Sequence, residues 1–286
     1  MRGADSGTKT AGATAGPYRG PAVLAAVALC GIIGCAHRAA VTGDQSAAIP
    51  ATLRIGIATV YPSIAFKEDG ELKGVEVDLA HQVATDLNVK ITLVELPWDE
   101  LIPALRDDRI DVIMSGMSVT EDRSKLVSFT QPYLRVGQMV LIRRADFSRL
   151  RDSGAMNLPT SRVGFQRGTT GEAYVRSKLS HAQLVGFDTP DEGIAALRAG
   201  RIDFFVHDAP TVWKTAGGRG SDAALMGRYR PLTEEYLAWA VRKNDNALRE
   251  RLNDELLRLR ASGQLEVVLD RWITVRKITV EVKPAP

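Results

Sequence analysis

Two stretches of this chain read alike, and that likeness constrains its fold more than any other feature. Residues 101–116 run LIPALRDDRIDVIMSG, and residues 193–208 run GIAALRAGRIDFFVHD. Ala-Leu-Arg and Arg-Ile-Asp recur at the same separation, 92 residues apart. In both, a helical apolar face runs into a short apolar stretch of strand character. Two copies are too few for a repeat array. They fit a chain that builds two lobes on one α/β plan, each with an equivalent helix–strand unit. The other reading is a coincidence between two ordinary amphipathic helices that each precede a strand.

The surrounding pattern agrees with α/β units. Residues 53–59, 90–96 and 110–114 read as strands, with helices expected over 75–87, where Asn88 is the stop, and over 98–106. The alternation restarts with a strand at 162–166 and a helix at 171–179. A second helix is capped by Thr189-Pro190 and ended by Gly200, and a strand follows at 202–206. Helical stretches at 246–262 and 265–272 close the pattern. Such alternation predicts helices around mainly parallel sheets. Ligands of open α/β sheets bind outside the carboxyl ends of the strands. Ser115-Gly116 and His207-Asp208 sit at those ends and are expected to face one cleft.

The N-terminus reads as a targeting segment. Arg2, Lys9 and Arg19 precede an apolar run at 21–34, too short for an ordinary transmembrane helix and of signal-peptide length. It ends in Ile32-Ile33-Gly34-Cys35, which resembles a bacterial lipobox. Residues 1–34 are therefore expected to be removed, Cys35 to carry the lipid anchor (palmitate among its acyl chains), and 35–51 to act as a tether. An ordinary signal peptide with an incidental cysteine is the alternative. Loss of 1–34 removes three bases and Asp5, so the net charge falls from +3 to +1. A balance so near neutral gives no reason to expect nucleic acid as partner. The mature chain would keep no thiol free for a disulfide, and with 45% hydrophobic residues it has the core to do without one.

Three segments carry candidate chemistry. In 115–123, Gly116 lets backbone approach a ligand, Thr120 can cap a helix, and Arg123 falls one turn in. Arg123 is there either a surface charge or a bidentate clamp for a carboxylate. In 166–171, Gln-Arg-Gly-Thr-Thr-Gly forms either a hydroxyl-capped connection or an anion-binding helix start. In 206–210, Asp208 either caps the next helix or pairs with an ammonium. The four histidines, at 37, 81, 181 and 207, are scattered without metal-ligand spacing, so no metal or cofactor is expected.

The order of LRIGIATVYPSIAF, GVEVDLAHQVATDL, LPWDELIPALRDDRIDVIMSGMSVTEDR, VSFTQPYLRVG, VGFQRGTTGEAY, GRIDFFVHDAP and RLNDELLRLRASGQLEVVLDRW resembles the polar-amino-acid family of periplasmic binding proteins of ABC importers. The resemblance implies a type II periplasmic-binding-protein fold: lobe 1 at 52–132 and 237–275, lobe 2 at 138–231, and two hinge crossings near 133–137 and 232–236. It implies a monomer in the periplasm or cell envelope that hands a small amino-acid-like ligand to a cognate permease. Arg123 and the Thr170 amide would hold the ligand's α-carboxylate. The Gly116 carbonyl, Ser118 and Asp208 would hold its ammonium, with Tyr61 and Trp98 as aromatic walls and Gln166 and His207 reading the side chain.

One departure stands out. The family's first strand usually ends in Asp before the aromatic, and Ala58 stands there. Asp208 is then expected to be the main remaining carboxylate, with the Tyr61 and Trp98 faces taking part of any cationic charge and the ligand leaning towards an uncharged side chain. Two further functional readings remain. One is a sensory lipoprotein with the same cleft and no permease. The other is an enzyme resembling cyclohexadienyl dehydratases, although their N-P-G-G-T-N-type stretch is absent at 166–171.

Overall fold

A computed structural model describes residues 50–217, 222–228 and 230–273. The expected leader, Cys35 and most of the tether lie outside the described residues, as do 274–275.

Two five-stranded sheets share one plan. In the first, Thr52–Ile57 pairs in parallel with Lys90–Glu95 on one side and Val112–Ile113 on the other; Ala240–Arg242 then runs antiparallel, followed by Val127–Phe129. In the second, Arg162–Gln166 pairs in parallel with Gln183–Phe187 and Phe204–Asp208, and the antiparallel Gln138–Arg143 and Leu225–Arg228 complete the order. In each sheet a single strand, Ala240–Arg242 or Gln138–Arg143, runs against the other four, so the sheets are mainly parallel by strand direction with one reversed strand. Gln138–Arg143 and Ala240–Arg242, which run antiparallel, each follow a passage of the chain between the two sheets. Those passages are Leu134–Val136 and Glu235–Leu237, and they pair with each other as a two-stranded antiparallel ribbon.

Local chemistry sets the helices that carry the site. Val75–Leu87 buries Val75, Leu79, Ala80 and Val83 and ends where Asn88 turns left-handed (φ 51°). Pro190–Arg198 starts on a capping box between Thr189 and Glu192, with proline in the favoured first turn. The helix expected over 98–106 divides into a 3₁₀ turn, Trp98–Glu100, and an α-helix, Leu101–Arg106.

The repeated Arg-Ile-Asp has one job in both halves. Asp111 accepts from the Arg54 amide (2.8 Å), Nε (3.0 Å) and Nη2 (2.7 Å). Asp203 accepts from the same three groups of Arg162, at 3.1, 3.0 and 3.1 Å. In each lobe a buried carboxylate ties the start of the central strand to the strand beside it. The last strand of this unit, Phe204–Asp208, begins two residues later than expected, because the Asp203 side chain accepts the Arg162 amide in place of a ladder carbonyl.

Asp203 also meets Arg143 and Arg149. Although burial alone would raise its pKa, the hydrogen bonds and charge of Arg162, with help from Arg149, bring it down to about 2. A depressed carboxylate pKa stabilises the fold above the unfolded value, and that contribution is lost as pH falls through the folded value. Asp203→Asn is therefore expected to cost about 2 kcal/mol at neutral pH, with the difference from wild type shrinking between about pH 4 and pH 2. Urea melts across that range check it; coincident melts at neutral pH would contradict it.

Candidate functional site

All nine sequence-predicted site residues line one cavity between the two sheets. Tyr61, Trp98, Gly116, Ser118 and Arg123 come from the segments around the first sheet. Gln166, Thr170, His207 and Asp208 come from the carboxyl ends of strands in the second and the helix start that follows. Ala58 lines the same cavity.

Arg123 is placed by a cap. Thr120 Oγ1 accepts the Arg123 amide at 3.2 Å and starts the helix Glu121–Leu126. The guanidinium donates to the carbonyl of Ser118 (2.9 Å) and, across the cleft, to that of Gly168 (3.1 Å). It lies 5.2 Å from the centroid of Trp98, whose indole N–H also reaches the Gly168 carbonyl, at 3.0 Å. Among the described residues no carboxylate comes within ion-pair distance of this half-buried cation. Burial lowers its pKa, and the charges of Asp208 and Glu235 act in the opposite direction.

Asp208 does not cap the next helix with its side chain. Its carboxylate instead accepts from Gln138 Nε2. Burial first, and then the charge of Glu235, raise its pKa to about 7, against the stabilising effects of Gln138 and Arg123. The Tyr61 hydroxyl lies beside it and favours the charged form without a well-formed hydrogen bond to any described residue. Glu235, which sequence reasoning did not single out, stands on the second passage between the sheets and accepts from Ser118 Oγ (2.8 Å) and Thr170 Oγ1 (2.7 Å).

Gln166 and His207 are oriented by backbone. Gln166 Nε2 donates to the Asp188 carbonyl at 3.2 Å, which turns its Oε1 towards His207 Nε2 at 2.9 Å. His207 must then carry its proton on Nε2. Burial pushes its pKa down to about 3, so the ring is neutral, and its buried Nδ1 is an acceptor with no partner among the described residues. The ring stacks on Phe205 and meets Tyr61 edge-on, each at 5.8 Å between centroids.

Gly116 is required by geometry. Its φ is +68°, and a Cβ there would fall 2.7 Å from the Tyr61 ring. Its amide is held at 2.7 Å by Glu76, a fully buried carboxylate that also accepts from the Tyr133 hydroxyl and the Trp239 indole, both at 2.8 Å. Burial raises the Glu76 pKa to about 7 despite those three donors. The sequence did carry a signal for Glu76: an acid between Val75 and Val77 on a buried helix face. No group of three or more His, Cys, Asp or Glu side chains able to hold a metal occurs among the described residues. No described helix is long and apolar enough to cross a membrane.

Two lobes of like plan, joined by two passages and enclosing a polar cavity, define a type II periplasmic binding protein. Residues 53–275 match the bacterial extracellular solute-binding proteins, family 3, and the chain belongs to that family. The L-arginine-binding protein of Pseudomonas aeruginosa is 31% identical over 237 residues, covering 78% of this chain and 88% of its own. The histidine-binding periplasmic protein of Escherichia coli K12 is 31% identical over 242 residues, covering 79% and 89%. Among solved structures, an ancestral amino acid-binding protein, described as a precursor of cyclohexadienyl dehydratase, superposes with a TM-score of 0.73. It is 31% identical and the match covers 78% of this chain and 95% of that one.

Proposed function

We propose that this chain captures a small amino acid or related zwitterion between its lobes, 52–132 with 237–275 and 138–231, and delivers it as a monomer to a cognate ABC permease. The observation that carries the reading is Arg123, a half-buried cation with no described carboxylate in ion-pair distance, in the same cavity as Asp208, a half-buried acid whose pKa is raised to about 7. An α-carboxylate and an α-ammonium complement those two groups. Relatives named for arginine and histidine support an amino-acid ligand. Thermal-shift and calorimetric screening of purified protein against L-amino acids tests the reading, with prephenate and arogenate included to detect turnover. Binding of an L-amino acid without turnover is expected; failure of every amino acid would overturn it.

The proposal includes a lipid anchor at Cys35 that holds the protein in the cell envelope, supported by the sequence at 21–35. Mass spectrometry of the native N-terminus is expected to find Cys35 as the first residue, carrying acyl chains. An unmodified Cys35, or a mature chain starting elsewhere, would count against it.

A further inference from the structure

Glu235 sits where the chain returns from the second sheet to the first, and its carboxylate reaches one hydroxyl from each side of the cleft. Oε2 accepts from Ser118 Oγ at 2.8 Å and from Thr170 Oγ1 at 2.7 Å, while Oε1 accepts from Thr233 Oγ1 at 2.6 Å. Ser118 and Thr170 line the cavity. A hydroxyl has one proton to give and two lone pairs. With that proton committed to Glu235, Ser118 Oγ can meet a ligand only as an acceptor. Thr170 Oγ1 in turn accepts from Gln138 Nε2 at 3.0 Å, and the same amide nitrogen donates to Asp208. The direction of these bonds follows from the carboxylate of Glu235 at one end and the donor-only amide nitrogen of Gln138 at the other.

We propose that Glu235 is a positioning and specificity-determining residue of this site: by taking the hydroxyl protons of Ser118 and Thr170 it turns the Ser118 oxygen into an acceptor, so that with Asp208 the cavity receives a primary ammonium. An ammonium has three donors and no acceptor, which is the complement of this surface. The inference rests on the amino-acid reading above and assigns the ammonium end of that ligand to a carboxylate behind the cavity wall.

Calorimetry on the full chain tests it. Arginine, lysine, histidine, cystine and glutamine serve as probes, and the tightest binder is compared with its own des-amino analogue. The wild-type preference for the amino acid is expected to fall about tenfold or more in Glu235→Gln, about 1.4 kcal/mol. In a Ser118→Ala background the same change is expected to do less, since the hydroxyl it orients is gone. A second readout is the pH at which affinity declines. Asp208 is faced by Arg123, Glu235, Tyr61 and Tyr133, with His207 adjacent in the chain, and removing the Glu235 charge is expected to move that midpoint lower. An unchanged preference in folded Glu235→Gln overturns the proposal. Should that variant not fold, Ser118→Ala reads the same hydroxyl, and an unchanged preference there overturns it equally. Silence of every L-amino acid in the screen above, these five included, overturns the amino-acid reading itself, whereas Arg123-dependent binding with an unaltered preference overturns only the role of Glu235.

Discussion

Arg123→Ala is expected to weaken ligand binding by about thirty- to several-thousand-fold while leaving the protein folded. Truncating one partner of a desolvated, hydrogen-bonded charge pair costs about 2–5 kcal/mol, much of it from the charge left behind, and each 1.4 kcal/mol is tenfold in affinity. The fold does not depend on this side chain. Among the described residues the guanidinium donates only to two backbone carbonyls, and the helix that carries it is capped by Thr120 whatever follows on the side chain. Removing it also deletes the contact to Gly168 across the cleft and uncovers Trp98, so closure is expected to weaken with recognition. Arg123→Lys is expected to recover little, because one ammonium cannot span both carbonyls and still present a fork to a carboxylate. Calorimetry on variants with wild-type circular dichroism decides; unchanged affinity in Arg123→Ala would mean that the ligand lies elsewhere.

Asp208→Asn is the second large effect, and here binding and stability are expected to move apart. The substitution keeps the shape and removes the charge that an ammonium would meet, a loss of about 2–5 kcal/mol in binding. Without ligand, a carboxylate pushed up to about 7 by burial and by Glu235 is a costly anion at neutral pH. Its neutral replacement should therefore raise the melting temperature of the free protein, the trade expected where a site is built for function. A proton and an ammonium also compete for the same carboxylate. Wild-type affinity is thus expected to fall as pH drops below about 7, by up to tenfold per unit, and that dependence should be absent from Asp208→Asn. A flat wild-type profile between pH 5 and 7 would show that Asp208 does not hold the ligand's ammonium.

The sequence was most legible where its signal was local. The recurrence of Arg-Ile-Asp pointed to two lobes of one plan, and Asp111 and Asp203 prove to hold equivalent arginines in the two halves. Thr120 and Thr189 start the helices that their positions predicted. The nine residues named for the site, several of them only through the family resemblance, converge on one cavity. Parallel against antiparallel pairing was not legible, since it depends on where the chain re-enters each sheet, and short strands such as Val112–Ile113 look alike in either direction. The acids behind the cavity were the other omission. Glu235 meets Ser118 across 117 residues of chain and Thr170 across 65, and its neighbours Glu234 and Tyr236 form no motif.

The central claim is that one cavity holds both ends of a zwitterion, with Arg123 on the carboxylate and Asp208 on the ammonium. Calorimetric titration of the purified protein with its tightest-binding L-amino acid, that amino acid's methyl ester and its des-amino analogue tests this directly. The account predicts that the free amino acid binds and that loss of either charged end costs tenfold or more, about 1.4 kcal/mol or above. Equal affinity for all three compounds would contradict it.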